Sequence, residues 1–368
     1  MNKTGFGFLR LPRLDQADEK SVNYDLLNAM VDRFLELGGD YFDTAYTYLG
    51  GVSEEALRKS LVERYPRERF RIADKLPGFA VKSEADNEKF FAESCRRCGV
   101  DFFDVYLIHG LNEENYELAK KFHQFEFLSR LKAEGKAKRI GFSFHDTADL
   151  LDTILTEHPE VDVVLLQINY LDWDSYSIQS RLCYETAVRH GKTVLVMEPV
   201  KGGTLANLPE SVENLLKSRC PEDSGAHWAI RFATGLEQVE IVLSGMNTME
   251  QMEDNLRPMM PLDDGEYALL AQAAQILRSE IAIACTACGY CTAGCPQNIA
   301  IPQYFALYNE CKRNPGEIWK AENIFDSLKR RGGSLDDCIR CGQCEQHCPQ
   351  RLRIMESLRD VAKIFANV

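Results

Sequence analysis

Eight of the thirteen cysteines in this 368-residue chain fall in two short runs, CTACGYCTAGCP at 285–296 and CIRCGQCEQHCP at 338–349. Both read C-x₂-C-x₂-C-x₃-C-P. A cubane of four irons needs a thiolate at each iron, and a tight loop with a sulfur at every third residue delivers three of them. Where two such runs share a chain, the cysteine ahead of the proline crosses over and completes the other cluster. That rule assigns Cys285, Cys288, Cys291 and Cys348 to one [4Fe–4S] cluster, and Cys338, Cys341, Cys344 and Cys295 to a second. Structural zinc uses pairs of C-x-x-C, and disulfides require no fixed spacing. Neither calls for two complete four-cysteine copies that end in proline. The expected chemistry here is one-electron transfer.

A second set of reactive side chains is spread along the chain. Asp43, Lys75 and His109 each close an apolar segment, and Tyr48 follows Asp43 by five residues. Each has an ordinary structural use: an aspartate caps helices, a lysine sits in water, and a histidine braces a scaffold by hydrogen bonding. Together they can reduce a carbonyl. An ammonium beside a phenol favours the phenolate and should lower the phenol's pKa from about 10. Lys75 can do this for Tyr48, with Asp43 holding the ammonium by a charge-assisted hydrogen bond. His109 would position and polarise the substrate oxygen while Tyr48 delivers a proton and carbon receives hydride.

The elements that must position these groups show a regular rhythm. Eight strand-like segments begin at about residues 6, 40, 70, 103, 138, 161, 192 and 239. Amphipathic stretches such as YDLLNAMVDRFLELGG lie between them, with apolar residues at three- and four-residue steps and Gly38-Gly39 as a stop. Eight βα units in roughly 260 residues is the size of a (β/α)₈ TIM barrel. A doubly wound sheet is the competing α/β fold, but no strand leads into a G-x-G-x-x-G turn. In a barrel the C-terminal strand ends form the active site. Ser143, Gln167 and Glu198 then end the fifth, sixth and seventh strands. Gly245 and Asn247 offer backbone amides at a helix start, and Lys201-Gly202-Gly203 supplies a second flexible loop for a phosphate.

On the segments GGDYFDTAYTYLGGVSEEALRKSL, IADKLP and FDVYLIHGL, the chain resembles the aldo-keto reductase superfamily from about residue 5 to 258. The whole chain resembles the branch that carries a ferredoxin-type C-terminal extension. The resemblance implies a catalytic tetrad of Asp43, Tyr48, Lys75 and His109. It also implies NAD(P)H as hydride carrier, held by Ser143, Gln167 and, at the adenine, Asn255. The chain departs from the family pattern at Phe144, where an asparagine is usual, and at Met197, where an aromatic is usual. LSGMNTMEQMEDNL, residues 243–256, contains no Lys or Arg for a 2′-phosphate. NADPH, NADH and a flavin therefore remain open as carriers.

The expected organisation is a barrel over 1–262, a linker helix over 263–280 and a mainly helical domain with two [4Fe–4S] clusters over 281–368. Within the last, IPQYFALYNECKRN and GEIWKAENIFDSLKRRGG read as helices. Cys95 and Cys98 form a C-x-x-C inside a helical stretch, which reads as packing. The net charge is −13, with 11 basic and 10 acidic residues from position 280 on, so the acidity lies in residues 1–279 and argues against nucleic acid as a partner. No apolar run is long enough for a signal peptide or membrane span, and thiolate clusters fit a reducing cytoplasm. The expected function is a cytoplasmic iron–sulfur oxidoreductase acting on a small-molecule carbonyl or alcohol. Two alternatives compete: a reductase fed by ferredoxin or flavodoxin without a dissociable nicotinamide, and an electron-transfer or redox-sensing subunit of a larger complex.

Overall fold

The computed structural model describes residues 3–175, 178–313, 321, 325–326, 328–330 and 332–365. The chain divides into two compact units, Met1–Val200 with Ala226–Asp263, and Lys201–Gly225 with Asp264–Val368. The segment Lys201–Gly225, expected in the barrel, thus belongs to the unit that carries the cysteine runs.

The first unit is a closed barrel of eight parallel strands in chain order: β1 Thr4–Gly7, β2 Tyr41–Asp43, β3 Arg71–Leu76, β4 Phe103–Leu111, β5 Ala137–Phe144, β6 Val163–Gln167, β7 Thr193–Met197 and β8 Val239–Gly245, with β8 pairing back to β1. Side chains two apart on a strand share a face. One buried cluster joins Tyr41, Ala73, Val105, Leu107, Val163, Leu165, Leu195, Ile241 and Leu243. One step of two along each strand leads from this apolar plug to Asp43, Lys75, His109, Gln167, Met197 and Gly245. The same period that fills the barrel therefore aims the reactive groups at its C-terminal mouth.

Gly141, two before Ser143 on β5, has no room for a side chain. A Cβ there would lie 1.9 Å from the carbonyl oxygen of Val163. Near the N-terminal ends of the strands, Glu240 binds Arg71 at 3.0 Å and Arg139 at 2.6 Å, and Arg71 also binds Asp40 at 2.7 Å. Outside the barrel, the helix Tyr24–Glu36 buries Leu27, Met30, Val31 and Phe34 at the expected spacing, with Asn23 capping its start. Phe34 meets the Phe42 ring edge-on at 5.0 Å. The first strand begins earlier than its apolar run indicates. Its Gly5 faces Leu243, Ile241 and Tyr41 where no larger residue fits, a signal that hydrophobicity alone misses.

The second unit is helical. The helices Ile301–Arg313 and Ile354–Phe365 pack through Ile301, Tyr304, Phe305 and Tyr308 against Ile354, Leu358, Val361 and Phe365. The expected helix over 301–314 is present, and a linker helix runs Asp264–Glu280. The expected second helix, over 316–333, lies largely outside the described residues. The two cysteine runs are structural copies offset by 53 residues, from Cys285 to Cys338. Left-handed backbone recurs at Ala287 and Arg340, Gly289 and Gly342, and Asn298 and Arg351. The one-turn helices Tyr290–Ala293 and Gln343–Gln346 recur with the same offset.

Candidate active site and cluster sites

Lys75 and Asp43 form a buried ion pair, with side chains 1% and 5% exposed and Nζ to Oδ1 at 2.7 Å. Lys75 Nζ also donates to the Thr44 carbonyl at 2.7 Å. Two fixed acceptors hold the ammonium 4.7 Å from the centroid of the Tyr48 ring. Tyr48 opens a tight turn, Tyr48–Gly51, in which Leu49 and Gly50 take left-handed backbone. The His109 ring meets Tyr48 edge-on at 5.7 Å and Phe79 at 5.8 Å. His109 is buried, and its Nδ1 has no hydrogen-bond partner. A buried polar nitrogen without a partner is costly in a closed protein.

The electrostatics correct one expectation. Burial, followed by the carboxylates of Asp43, Asp74 and Glu198, pushes the Tyr48 phenol well above its ordinary 10 rather than below it. Lys75 faces the ring, and its charge is already shared with Asp43 and the Thr44 carbonyl. Tyr48 thus rests as the protonated phenol. Burial also raises the Asp43 carboxyl, against the opposing pull of Lys75. Burial, with Lys75 and His145 adding repulsion, holds His109 well below 6.5, so its imidazole is neutral near pH 7.

The residues expected at a dinucleotide are distributed unevenly. Ser143 and Gln167 are buried on their strands. The Ser143 Oγ accepts from the Gly110 amide at 2.7 Å, and the Gln167 Nε2 donates to Asp172 at 2.9 Å. Asn255 is buried and donates to the Ser244 hydroxyl at 2.9 Å. Gly245 and Asn247 are exposed, but the Asn247 amide donates to Gln251 in the helix that follows, Met249–Asn255, at 2.9 Å. Lys201 and Gly202 belong to the second unit, where the buried Lys201 donates to Gln350 Oε1 at 2.9 Å.

Several participants escaped the sequence reading. Asn169 and Asp172 bond each other in both directions, and Asn169 also donates to the Glu198 carbonyl at 3.1 Å, which braces the loops after β6 and β7. Behind Lys75, Asp74 points to the other face of β3, where its carboxyl, that of Glu54 and the thiol of Cys98 gather in a fully buried group. Burial and Glu54 raise Asp74 far above the usual carboxylate range, and Arg97 binds Glu54 at 3.1 Å. Cys95, pushed up to about 12 by burial, and Cys98 pack in the helix Glu84–Cys98. Only the alternation of Asp74 with Lys75 could have revealed this outward-facing acid.

In the second unit the eight cysteines separate into two cavities. One is lined by Cys285, Cys288, Cys291 and Cys348, the other by Cys295, Cys338, Cys341 and Cys344. Four cysteines of crossed origin around each cavity fit a cubane cluster, to which these residues would supply the thiolate ligands. No disulfide joins any of the thirteen cysteines.

Residues 5–275 match the family model described as the aldo/keto reductase family. The chain belongs to the aldo/keto reductase family. Residues 284–352 of this aldo/keto reductase match a 4Fe–4S dicluster domain, which supports iron–sulfur clusters. Among relatives, an L-galactose dehydrogenase of Arabidopsis thaliana is 27% identical over 64% of the chain and 78% of its own length, and an aldo-keto reductase of Mycobacterium avium is 27% identical over 60% and 72%. The barrel is also similar to an aldo-keto reductase structure from Bacillus halodurans, with a TM-score of 0.57 and 24% identity over 75% of this chain and 91% of that one. One from Klebsiella pneumoniae, described in complex with NADPH, gives a TM-score of 0.57 and 20% identity over 73% and 90%. These structures establish the fold. The protein is an oxidoreductase of the aldo-keto reductase type joined to a dicluster domain.

Proposed function

We propose that this aldo/keto reductase is a cytoplasmic iron–sulfur enzyme that interconverts a small-molecule carbonyl and its alcohol by hydride transfer, with Tyr48 as proton donor, and exchanges electrons through two [4Fe–4S] clusters. The observation that carries this reading is the buried Lys75, fixed by Asp43 and Thr44 at 2.7 Å and set 4.7 Å from the Tyr48 ring, with His109 on the ring's edge. An ammonium excluded from water against a phenol has little structural use, but it stabilises a phenolate formed during turnover.

A nicotinamide, when bound, supplies or accepts the hydride. Ser143 and Gln167 would hold its carboxamide end, with Asn255 toward the adenine, and the NADPH complex of the Klebsiella relative supports this carrier. No relative named above is described with a flavin. The chain's own groups do the rest. Neutral His109 donates a hydrogen bond to the substrate oxygen without adding a full charge. As that oxygen becomes anionic, its basicity exceeds that of a phenolate, and the Tyr48 proton moves onto it. Lys75 then faces the new phenolate, and Asp43 keeps Lys75 in register. Hydride carries two electrons and a cluster carries one, so two clusters together match one turnover. Among the described residues no helix is long and apolar enough to cross a membrane.

A second reading, in which reduced ferredoxin or flavodoxin feeds the barrel without a dissociable nicotinamide, is favoured by the phosphate side. Lys201 is committed to Gln350, the Asn247 amide to Gln251, and residues 243–256 carry no basic side chain. Anoxic assays of NADPH and NADH oxidation against a panel of aldehydes and ketones separate the two. The first expects substrate-dependent oxidation that disappears in Tyr48→Phe. Turnover with reduced ferredoxin alone, and none with either nucleotide, replaces it with the second. An electron-carrying subunit without catalysis would keep its function in Tyr48→Phe.

A further inference from the structure

The 53-residue repeat relates positions that the protein treats differently. Thr286, in the first cysteine run, is 2% exposed, whereas its counterpart Ile339 is 61% exposed. Cys341 is exposed and its counterpart Cys288 is partly covered. The cover on the first run comes from Lys201–Gly203. Gly202 has a φ of +64°, and a Cβ there would lie 2.3 Å from the Thr286 carbonyl oxygen and 2.9 Å from its Cα. Only a glycine lets this loop rest directly on the backbone of the run. Its neighbour Lys201, 2% exposed, reaches Gln350 Oε1 at 2.9 Å. Thr286 and Gln350 both line the cavity of Cys285, Cys288, Cys291 and Cys348. The other cavity has Arg340 on its rim instead, and that side chain is exposed to water.

We propose that Lys201 is an electrostatic positioning residue for the cluster of the first run, holding its reduction potential above the value that burial alone would impose. An oxidised [4Fe–4S] core with four thiolates is dianionic, and taking up one electron adds a third negative charge. Removing water from around the cluster disfavours that extra charge, and a buried cation opposes this more strongly than a solvated one because the local dielectric is lower. Water performs the same service at the open second run, where an exposed arginine is screened. Lys201 therefore acts on one cluster and leaves the other nearly unchanged. Gln350 fixes the ammonium, and Gly202 allows it to approach.

The test is a dithionite titration of the anoxic, cluster-loaded full chain, followed by electron paramagnetic resonance, in wild type, Lys201→Met, Lys201→Gln and Lys201→Arg. Each cluster takes one electron from dithionite. A Cys288→Ser chain, altered at one ligand of the first cluster, identifies which signal belongs to it. Lys201→Met should lower the reduced-to-oxidised ratio of the first cluster about tenfold at a fixed potential, which for one electron is a shift of about 59 mV. The second cluster should move far less, and Lys201→Arg should stay near wild type. Lys201→Gln removes the charge but leaves a polar side chain at the position, and gives the same readout if the methionine chain loses iron. Unchanged midpoints in Lys201→Gln, equal shifts of both clusters, or an arginine chain that behaves like the methionine one would overturn the proposal.

Discussion

In the cysteine domain, the ligands of each cavity come from two short runs whose spacing is written into consecutive residues, and the backbone repeats with them down to the left-handed turns at Ala287 and Arg340. At the barrel mouth, Asp43, Tyr48, Lys75 and His109 come from three strands and a turn, and only the closed eight-stranded sheet brings them together. A cluster site is thus specified locally and a catalytic site globally. Damage should follow that distinction: local changes disable one cluster, whereas changes at the mouth propagate through a buried charge network.

The largest effect is expected from Tyr48→Phe. Removing the proposed proton donor should lower kcat by roughly 10²- to 10⁴-fold, measured as carbonyl-dependent NAD(P)H oxidation, with cluster content unchanged. In contrast, Cys291→Ala should reduce bound iron from about eight to about four per chain while the far-ultraviolet circular dichroism of the barrel is kept. If Cys291→Ala unfolded the barrel, the division into locally and globally specified sites would fail.

Next in size is the ion pair. Lys75→Met leaves Asp43 buried without its partner, and should lower unfolding stability by about 3–5 kcal/mol. Adding Asp43→Asn should recover most of that loss, as read from denaturant midpoints. A single-variant loss below about 1 kcal/mol would mean that the pair is not held in a low-dielectric site.

The pH dependence sharpens the electrostatic side. Burial, Lys75 and His145 depress the folded pKa of His109, so the unfolded chain takes up the proton first as the pH falls. Its contribution to stability is fully present above about pH 6.5 and is lost below it, by up to about 1.4 kcal/mol per pH unit. His109→Gln should flatten the stability profile between pH 7.5 and 5.5. A slope identical to wild type would show that His109 titrates normally.

Smaller effects are expected in the cysteine runs. Gly289 and Gly342 have positive φ with nothing within 4 Å of an added Cβ, so alanine there introduces backbone strain alone, about 1 kcal/mol each. Ala287→Gly relieves the same strain and should stabilise the cluster-loaded protein by about 0.5–1 kcal/mol. Equal responses at positions 289 and 342 test the backbone repeat.

The sequence made much of this legible, for physical reasons. Eight apolar segments alternating with amphipathic stretches, and the polar residues at the segment ends, marked the barrel and its mouth, and cysteine spacing marked the clusters. Three features required coordinates. Asp74 is an acidic residue on a buried outward face, which alternation assigns to no function. The Tyr48 pKa is set by burial and by the carboxylates of Asp43, Asp74 and Glu198 around it, which composition does not encode. Lys201 and Gly202 read as a phosphate loop, yet they pack in the cysteine unit, because a glycine with positive φ serves equally well against a phosphate and against another backbone.

The most direct test of coupling between the two sites is to reduce the clusters with dithionite, remove the reductant, and mix the anoxic protein with a carbonyl substrate and catalytic amounts of NAD⁺ and NADP⁺. Cluster absorbance should recover as alcohol forms, one alcohol for each pair of clusters oxidised, and the recovery should stop in Tyr48→Phe. Recovery at the same rate in Tyr48→Phe, or alcohol formed while the clusters stay bleached, would contradict it.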